Sequence, residues 1–83
     1  MELIEIKRII RELIIGQDPN IVTIQDDEIL TDRGFGSLRI IELVVLIEDK
    51  FDFEFETDML SYETLRTISS ISKYIYQRMK EKP

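Results

Sequence analysis

Apolar residues recur at helical spacing in three stretches of the chain. In the first, Leu3, Ile6, Ile10, Leu13 and Ile14 are separated by threes and fours, with Lys7, Arg8, Arg11 and Glu12 between them. That spacing predicts a helix over residues 2–15 with one apolar face. Isoleucine favours strands, but alternation at period two is not sustained here. Gly16 and the pair Asp18-Pro19 close the helix, since proline cannot continue it. In the second stretch, residues 37–51, Ile40, Leu43, Val44, Ile47 and Phe51 define a core-facing stripe. In the third, Thr67 is placed to cap a last helix with Ile68, Ile71, Ile75 and Met79 on its buried face. Lys73, Arg78 and Lys80 fall on its exposed side. Basic residues near that end suit the helix dipole, and residues 80–83 are expected to fray.

The connections carry weaker patterns. Residues 16–36 form a long loop, and loops of that length in compact domains are usually functional or pinned by apolar anchors. Val22, Ile24, Ile29, Leu30 and Phe35 are the candidate pins, and Thr23 or Asp26 a candidate cap for a short turn. Asp52-Phe53-Glu54-Phe55-Glu56 alternates like a strand. It has no partner strand, so it reads as an extended connector with Phe53 or Phe55 turned inward. Thr57 to Leu60 reads as a short helix capped by Thr57. The prediction is one all-α domain over residues 1–83: a four-helix bundle with three longer helices, one short helix and a long first loop.

The second helix has a further apolar row, Leu38, Ile41 and Val45, spaced i, i+3, i+7. Both rows cannot easily face one core in so small a domain. Either the helix is buried on most sides, or the row is exposed between Glu42, Glu48 and Asp49 as a contact surface for other proteins. The row begins beside Ser37, which favours the second reading.

Composition removes whole classes of chemistry. The 83 residues include no cysteine and no histidine. Disulfides, thiolate chemistry and Cys-type zinc sites are excluded, as are Ser-His-Asp and Cys-His arrangements within this chain. The longest apolar run, Leu43 to Ile47, is far too short for a membrane span. Glu2 and Glu5 among the first apolar residues do not fit a secretory signal. The expectation is a cytoplasmic, non-membrane protein.

The net charge of −6 is unevenly placed. Residues 16–36 carry −4 (Asp18, Asp26, Asp27, Glu28 and Asp32 against Arg33), and residues 52–66 another −4 (Asp52, Glu54, Glu56, Asp58 and Glu63 against Arg66). Two acidic segments thus bracket the helix that starts at Ser37. Such a surface repels nucleic acid and favours basic partners, and it equally serves solubility. Asp26-Asp27-Glu28 does not make a calcium loop. Counted from Asp26, the fifth and sixth positions are Leu30 and Thr31, where an oxygen ligand and a glycine are needed. Gly34-Phe35-Gly36 does not make a dinucleotide fingerprint either, because Arg39 stands where the third glycine belongs. The two glycines relax a tight loop into the helix.

Ser37 has two available roles. As an N-cap, its hydroxyl satisfies an orphan N–H of the helix, worth about 1 kcal/mol. As a phosphate ester, it places an anion where the dipole and free N–H groups favour one. Arg39, a cation at the positive end of that dipole, is then available to pair with the phosphate.

Gly34-Phe35-Gly36-Ser37-Leu38, followed by Ile41-Glu42-Leu43, Ile47-Glu48-Asp49 and Phe51, closely resembles the acyl carrier protein family. The resemblance runs over nearly the whole chain. In that family an Asp-Ser-Leu triplet opens the second helix, and its serine carries 4′-phosphopantetheine. The resemblance implies that Ser37 is the attachment site, with Gly36, Leu38 and Arg39 around the cofactor. It implies that Leu38, Ile41 and Val45 face partner enzymes, and that Glu42, Glu48 and Asp49 meet their basic patches. Gly36 replaces the usual aspartate, and Arg39 a residue that is commonly acidic in housekeeping fatty-acid carriers.

The expected function is therefore that of a monomeric carrier without chemistry of its own. A phosphopantetheinyl transferase, with magnesium in the enzyme, loads Ser37 from coenzyme A. The arm supplies the thiol that the chain lacks and holds acyl intermediates as thioesters. The expected partners are an acyl- or aminoacyl-loading ligase and downstream synthase enzymes, with no nucleic acid and no membrane. The departures at Gly36 and Arg39 point to a specialised polyketide, hybrid peptide or lipid pathway. The alternatives are an aminoacyl or D-alanyl carrier, and an unmodified carrier-fold interaction module in which Ser37 is only a cap.

Overall fold

The computed structural model describes residues 1–81, and over them the chain forms three α-helices: α1 (Leu3–Gln17), α2 (Ser37–Phe51) and α3 (Ile68–Glu81). α1 packs against both α2 and α3. The expected short third helix is a single 3-10 turn over Thr57–Met59, and a second such turn spans Leu30–Arg33. α1 runs two residues beyond its predicted end, through Gly16, and stops where Asp18 becomes extended. α3 is helical through Lys80 and Glu81, which were expected to fray. Lys82 and Pro83 lie outside the described residues.

The core is built largely from one residue type. Ile6, Ile10 and Ile14 of α1, Leu43 and Ile47 of α2, and Ile68, Ile71 and Ile75 of α3 are all completely buried. Each such side chain contributes about 1.5–3 kcal/mol of hydrophobic stabilisation relative to exposure. Ile9 joins this face of α1, while Leu3 and Leu13 are half-buried at its margin. Ile40 and Val44 of α2 and Met79 of α3 pack against the core in the same marginal way.

The long first loop is pinned at both ends of its path. Ile24, Leu30 and Phe35 are buried as expected, Ile29 is half-buried, and Ile21 is an additional pin. Val22 is not a pin: it is 79% exposed. The Arg11 guanidinium donates to the Ile24 carbonyl at 2.9 Å and pairs with Asp26, which Lys7 also approaches at 3.4 Å. Asp26 therefore ties the loop to α1 instead of capping a turn, and the 3-10 turn at Leu30 starts without a side-chain cap. The Leu30 N–H donates to the Arg66 carbonyl at 2.9 Å, and the Ser69 N–H to the Asp26 carbonyl at 3.0 Å. These two bonds fasten the loop to the start of α3.

Thr67 caps α3 as its sequence predicts. Its Oγ1 accepts the Ser70 N–H at 3.0 Å, and the Ser70 Oγ accepts the Thr67 N–H at 3.0 Å. This reciprocal pair is a capping box with serine in the usual Glu position. Of the two connector phenylalanines, Phe55 is the buried one. Phe53 stacks over it with ring centroids 5.3 Å apart, and Tyr74 completes the cluster. Arg78, expected on the exposed side of α3, is half-buried here. It donates to the Glu54 carbonyl at 2.9 Å and lies over the Phe53 ring at 5.1 Å.

Candidate functional site

The chain turns sharply into α2 through Gly34, whose φ of +81° is left-handed and suits a residue without Cβ. Phe35 then inserts fully into the core and anchors the turn. Gly36 is the N-cap of α2, in extended conformation, and its carbonyl accepts the Ile40 N–H at 3.0 Å. Ser37 is the first helical residue. It is exposed, and no side chain caps the helix. The cap reading of Ser37 therefore fails by one position: a cap precedes the first helical residue, and Gly36 occupies that place without a side chain to offer. No side chain among the described residues caps the first-turn N–H groups, so the positive end of the helix dipole is open beside the Ser37 hydroxyl.

Arg39 does not take up the position expected of a phosphate partner. Its guanidinium reaches the Gln17 carbonyl at 2.5 Å, while the Gln17 side-chain amide donates to the Arg39 carbonyl at 2.9 Å. Gln17 ends α1, so the cation sits at the negative end of a second helix dipole. This removes the electrostatic conflict that its place in the first turn of α2 implies.

The second apolar row of α2 is exposed. Leu38, Ile41 and Val45 are 73%, 60% and 59% accessible, which excludes a helix buried on most sides. Leu46 extends the exposed apolar surface at 37%. Glu42 and Asp49 flank the row in solvent. Glu48 does not lie with them: it is half-buried, and its Oε2 accepts the Phe55 N–H at 2.9 Å. That bond holds the connector after α2, so Glu48 serves the fold.

A cavity of about 220 Å³ opens beside Ser37, between α2 and residues 60–66. It is lined by Thr31, Ser37, Ile40, Ile41, Leu60, Ser61, Tyr62, Leu65 and Arg66. A second cavity of about 230 Å³ shares Ile40, Ile41, Leu60 and Leu65 with it and extends to Val44 and Val45. Together they make an apolar groove that starts at the serine. Its far wall escaped the sequence reading because residues 60–66 form turns, where apolar side chains follow no period. A wider groove of about 760 Å³ lies between α1 and residues 25–27. It differs from this site in character, since most of its charged side chains pair with one another, Lys7 and Arg11 on Asp26 and Arg8 on Glu5.

Among the described residues no cluster of His, Cys, Asp or Glu could hold a metal ion. Asp26 and Glu28 of the acidic loop have protein partners instead. Glu28 accepts the Gln25 N–H and the Arg33 guanidinium, each at 2.8 Å. The backbone bond first, and the arginine second, hold its carboxyl below the ordinary carboxylate value. No described helix is long and apolar enough to cross a membrane.

Residues 5–75 match the sequence profile of the phosphopantetheine attachment site family. The chain belongs to this family of carrier proteins. Among relatives, the acyl carrier protein of Chlamydia trachomatis serovar D is 36% identical over 64 residues, covering 77% of this chain and 79% of that protein. The acyl carrier protein of Exiguobacterium sibiricum is 33% identical over 73 residues, covering 88% and 87%. Among solved structures, a chain in the complex of Bradyrhizobium japonicum glycine:[carrier protein] ligase with glycylated carrier protein superposes with TM-score 0.75. It is 20% identical, with 81% of this chain and 93% of that chain covered. A holo acyl carrier protein from Nitrosomonas europaea superposes with TM-score 0.68 at 18% identity, with 95% and 96% covered. These two likenesses establish the fold. A carrier of this family bears covalent 4′-phosphopantetheine and presents substrates without catalysing their reactions. The carrier reads coherently with its composition, because a chain without cysteine obtains its thiol from the arm.

Proposed function

We propose that Ser37 carries the 4′-phosphopantetheine arm, and that this single domain over residues 1–83 works as a monomeric, cytoplasmic carrier of acyl groups. The observation that carries this reading is the position of Ser37 as first residue of α2, exposed and without a hydrogen-bond partner among the described residues. A transferase with bound magnesium approaches an accessible Oγ there. The Oγ–phosphorus bond forms, the nucleotide part of coenzyme A leaves, and the hydroxyl proton passes to a base on the transferase. Once bound, the arm supplies a thiol that holds cargo as a thioester.

The residues of the carrier do the rest by presentation. Gly34 and Phe35 set the direction of the turn, and the open N–H groups of α2 favour the phosphodiester. Leu38, Ile41 and Val45 form the apolar strip on which partner enzymes dock. Glu42 and Asp49 supply the charges that steer basic surfaces towards it. Gly36 leaves the cap position uncharged, in keeping with a dedicated transferase or synthetase in a specialised polyketide, hybrid peptide or lipid pathway.

Intact mass spectrometry after incubation with coenzyme A and a broad-specificity transferase tests the attachment. The expected result is a phosphopantetheine mass gain that Ser37→Ala abolishes. No gain under conditions that modify a control carrier would overturn the reading and favour an unmodified interaction module. Charging of the holo protein then separates cargo classes: an acyl ligase supports the present reading, and charging by an amino-acid-adenylating enzyme alone reassigns it as an aminoacyl carrier.

A further inference from the structure

The cavity beside Ser37 has a single charged residue in its wall, and it is a cation. Arg66 lines it together with Ser37, Thr31 and Tyr62, and no carboxylate does. This local sign is opposite to that of the whole chain, whose net charge is −6. The placement of Arg66 is well held, because its carbonyl accepts the Leu30 N–H at 2.9 Å and the Leu65 N–H before it bonds to the Ser61 carbonyl at 3.0 Å. Its guanidinium makes no ion pair among the described residues and lies 5.7 Å from the centre of the Tyr62 ring. Every other arginine is engaged: Arg8, Arg11, Arg33 and Arg78 by carboxylates, and Arg39 by the Gln17 carbonyl. An arginine that rests on an aromatic ring but has no anionic partner among the described residues, facing a cavity that also contains the modifiable hydroxyl, has an anion as its natural complement.

We propose that Arg66 is a positioning residue for the prosthetic arm: it receives the phosphodiester created on Ser37 and lays the arm into the groove between α2 and residues 60–66. This rests on attachment at Ser37. The groove continues from Arg66 past Ile41, Leu60 and Leu65 to Val45. An arm directed towards Arg66 at its proximal end passes along that apolar wall instead of projecting into solvent. Arg66 is exposed, so the pair is screened, and it biases the arm between laid-down and free positions without locking it.

The absence of cysteine makes the test specific, since the arm of the holo protein holds its only thiol. Loading is first verified by intact mass, and the thiol is then titrated with a neutral disulfide reagent. Arg66→Gln holo protein is expected to react about threefold faster than wild type, the scale of an exposed ion pair. Arg66→Lys, which keeps the charge but loses the planar fork, should fall between them. Raising salt to about 0.5 M should bring wild type up to the Arg66→Gln rate. Phosphorus NMR of the same samples should show a displaced phosphodiester resonance in Arg66→Gln. Equal rates and superimposable phosphorus spectra would overturn the proposal. A spectral difference that appears only with a succinyl cargo, and not in holo protein or with butyryl, assigns the anion to the cargo and overturns it too. Failure to gain mass removes the attachment reading and this one together, whereas mass gain without an Arg66 effect removes this one alone.

Discussion

Gln17 and Arg39 exchange hydrogen bonds across the junction of α1 and α2, each using its side chain to satisfy the other's carbonyl. The last residue of one helix is thereby bound to the first turn of the next, two positions after the proposed attachment serine. Gln17 Oε1 is buried without a partner among the described residues, so the pair is held for what its donors do. A cation that opposes one helix dipole complements another, and the net effect is to fix where α2 begins.

Arg39→Ala should therefore act on stability and not on modification. Removing a charged donor from a half-buried carbonyl is expected to cost about 1.5–3 kcal/mol, read as a lower urea midpoint. Loading at Ser37 should proceed as in wild type under folding conditions. Slow loading of a folded Arg39→Ala protein would instead place Arg39 in the cofactor site.

Gly36→Asp should improve the carrier as a transferase substrate. The backbone at Gly36 is extended with negative φ, and a Cβ there meets nothing within 4 Å, so glycine is not sterically required. Aspartate at this N-cap can accept a free N–H of α2, which stabilises the helix by only a few tenths of a kcal/mol relative to glycine. It also restores the acidic residue that the family resemblance places before the serine. The expected outcome is faster loading by a broad-specificity transferase with almost unchanged stability. An unchanged rate would show that Gly36 has no part in selectivity.

Ser72→Ala should stabilise the protein. Ser72 is fully buried in the core face of α3, and its hydroxyl has no partner among the described residues. Leaving a hydroxyl unsatisfied in an apolar setting is costly, and alanine removes that cost while favouring helix. A gain of about 1 kcal/mol is expected in chemical denaturation. A loss would mean that the hydroxyl bonds to water or backbone in solution.

Glu28 gives the loop before α2 a pH dependence. Its carboxyl is held below the ordinary value of 4.5, chiefly by the Gln25 N–H and then by Arg33. A depressed folded-state pKa contributes stability that is complete above the unfolded-state value and lost as pH falls through the folded one. Glu28→Gln should accordingly be less stable than wild type near neutrality, and the difference should shrink in acid below the ordinary carboxylate range. Equal acid limbs in the two denaturation profiles would rule this contribution out.

The three long helices were legible because each repeats apolar residues over several turns, and burial then follows the same stripe at Ile6, Ile10, Leu43, Ile47, Ile71 and Ile75. The exposed row at Leu38, Ile41 and Val45 was legible for a related reason: one helix cannot turn two faces to one small core. The stretch around residues 57–66 was not. A single turn has no period to detect, so the expected helix there proved to be a 3-10 turn followed by irregular backbone. Roles set by charge were read less well than roles set by hydrophobicity. Glu48 and Arg78 look exposed by helical position, yet each reaches the 53–56 connector through bonds across the sequence.

The order of apolar and polar residues determined that this chain is a small helical domain, and its composition that it lacks histidine and a thiol, because periodicity and composition are properties of the chain itself; the carrier role was legible only through the family resemblance of the residues around Ser37. Tertiary structure decided that Ser37 is the first helical residue and not the cap, that Arg39 belongs to Gln17, and that Arg66 faces the Ser37 cavity. Those outcomes depend on where separate segments meet in space, and long polar side chains choose among partners that only the folded chain brings within reach.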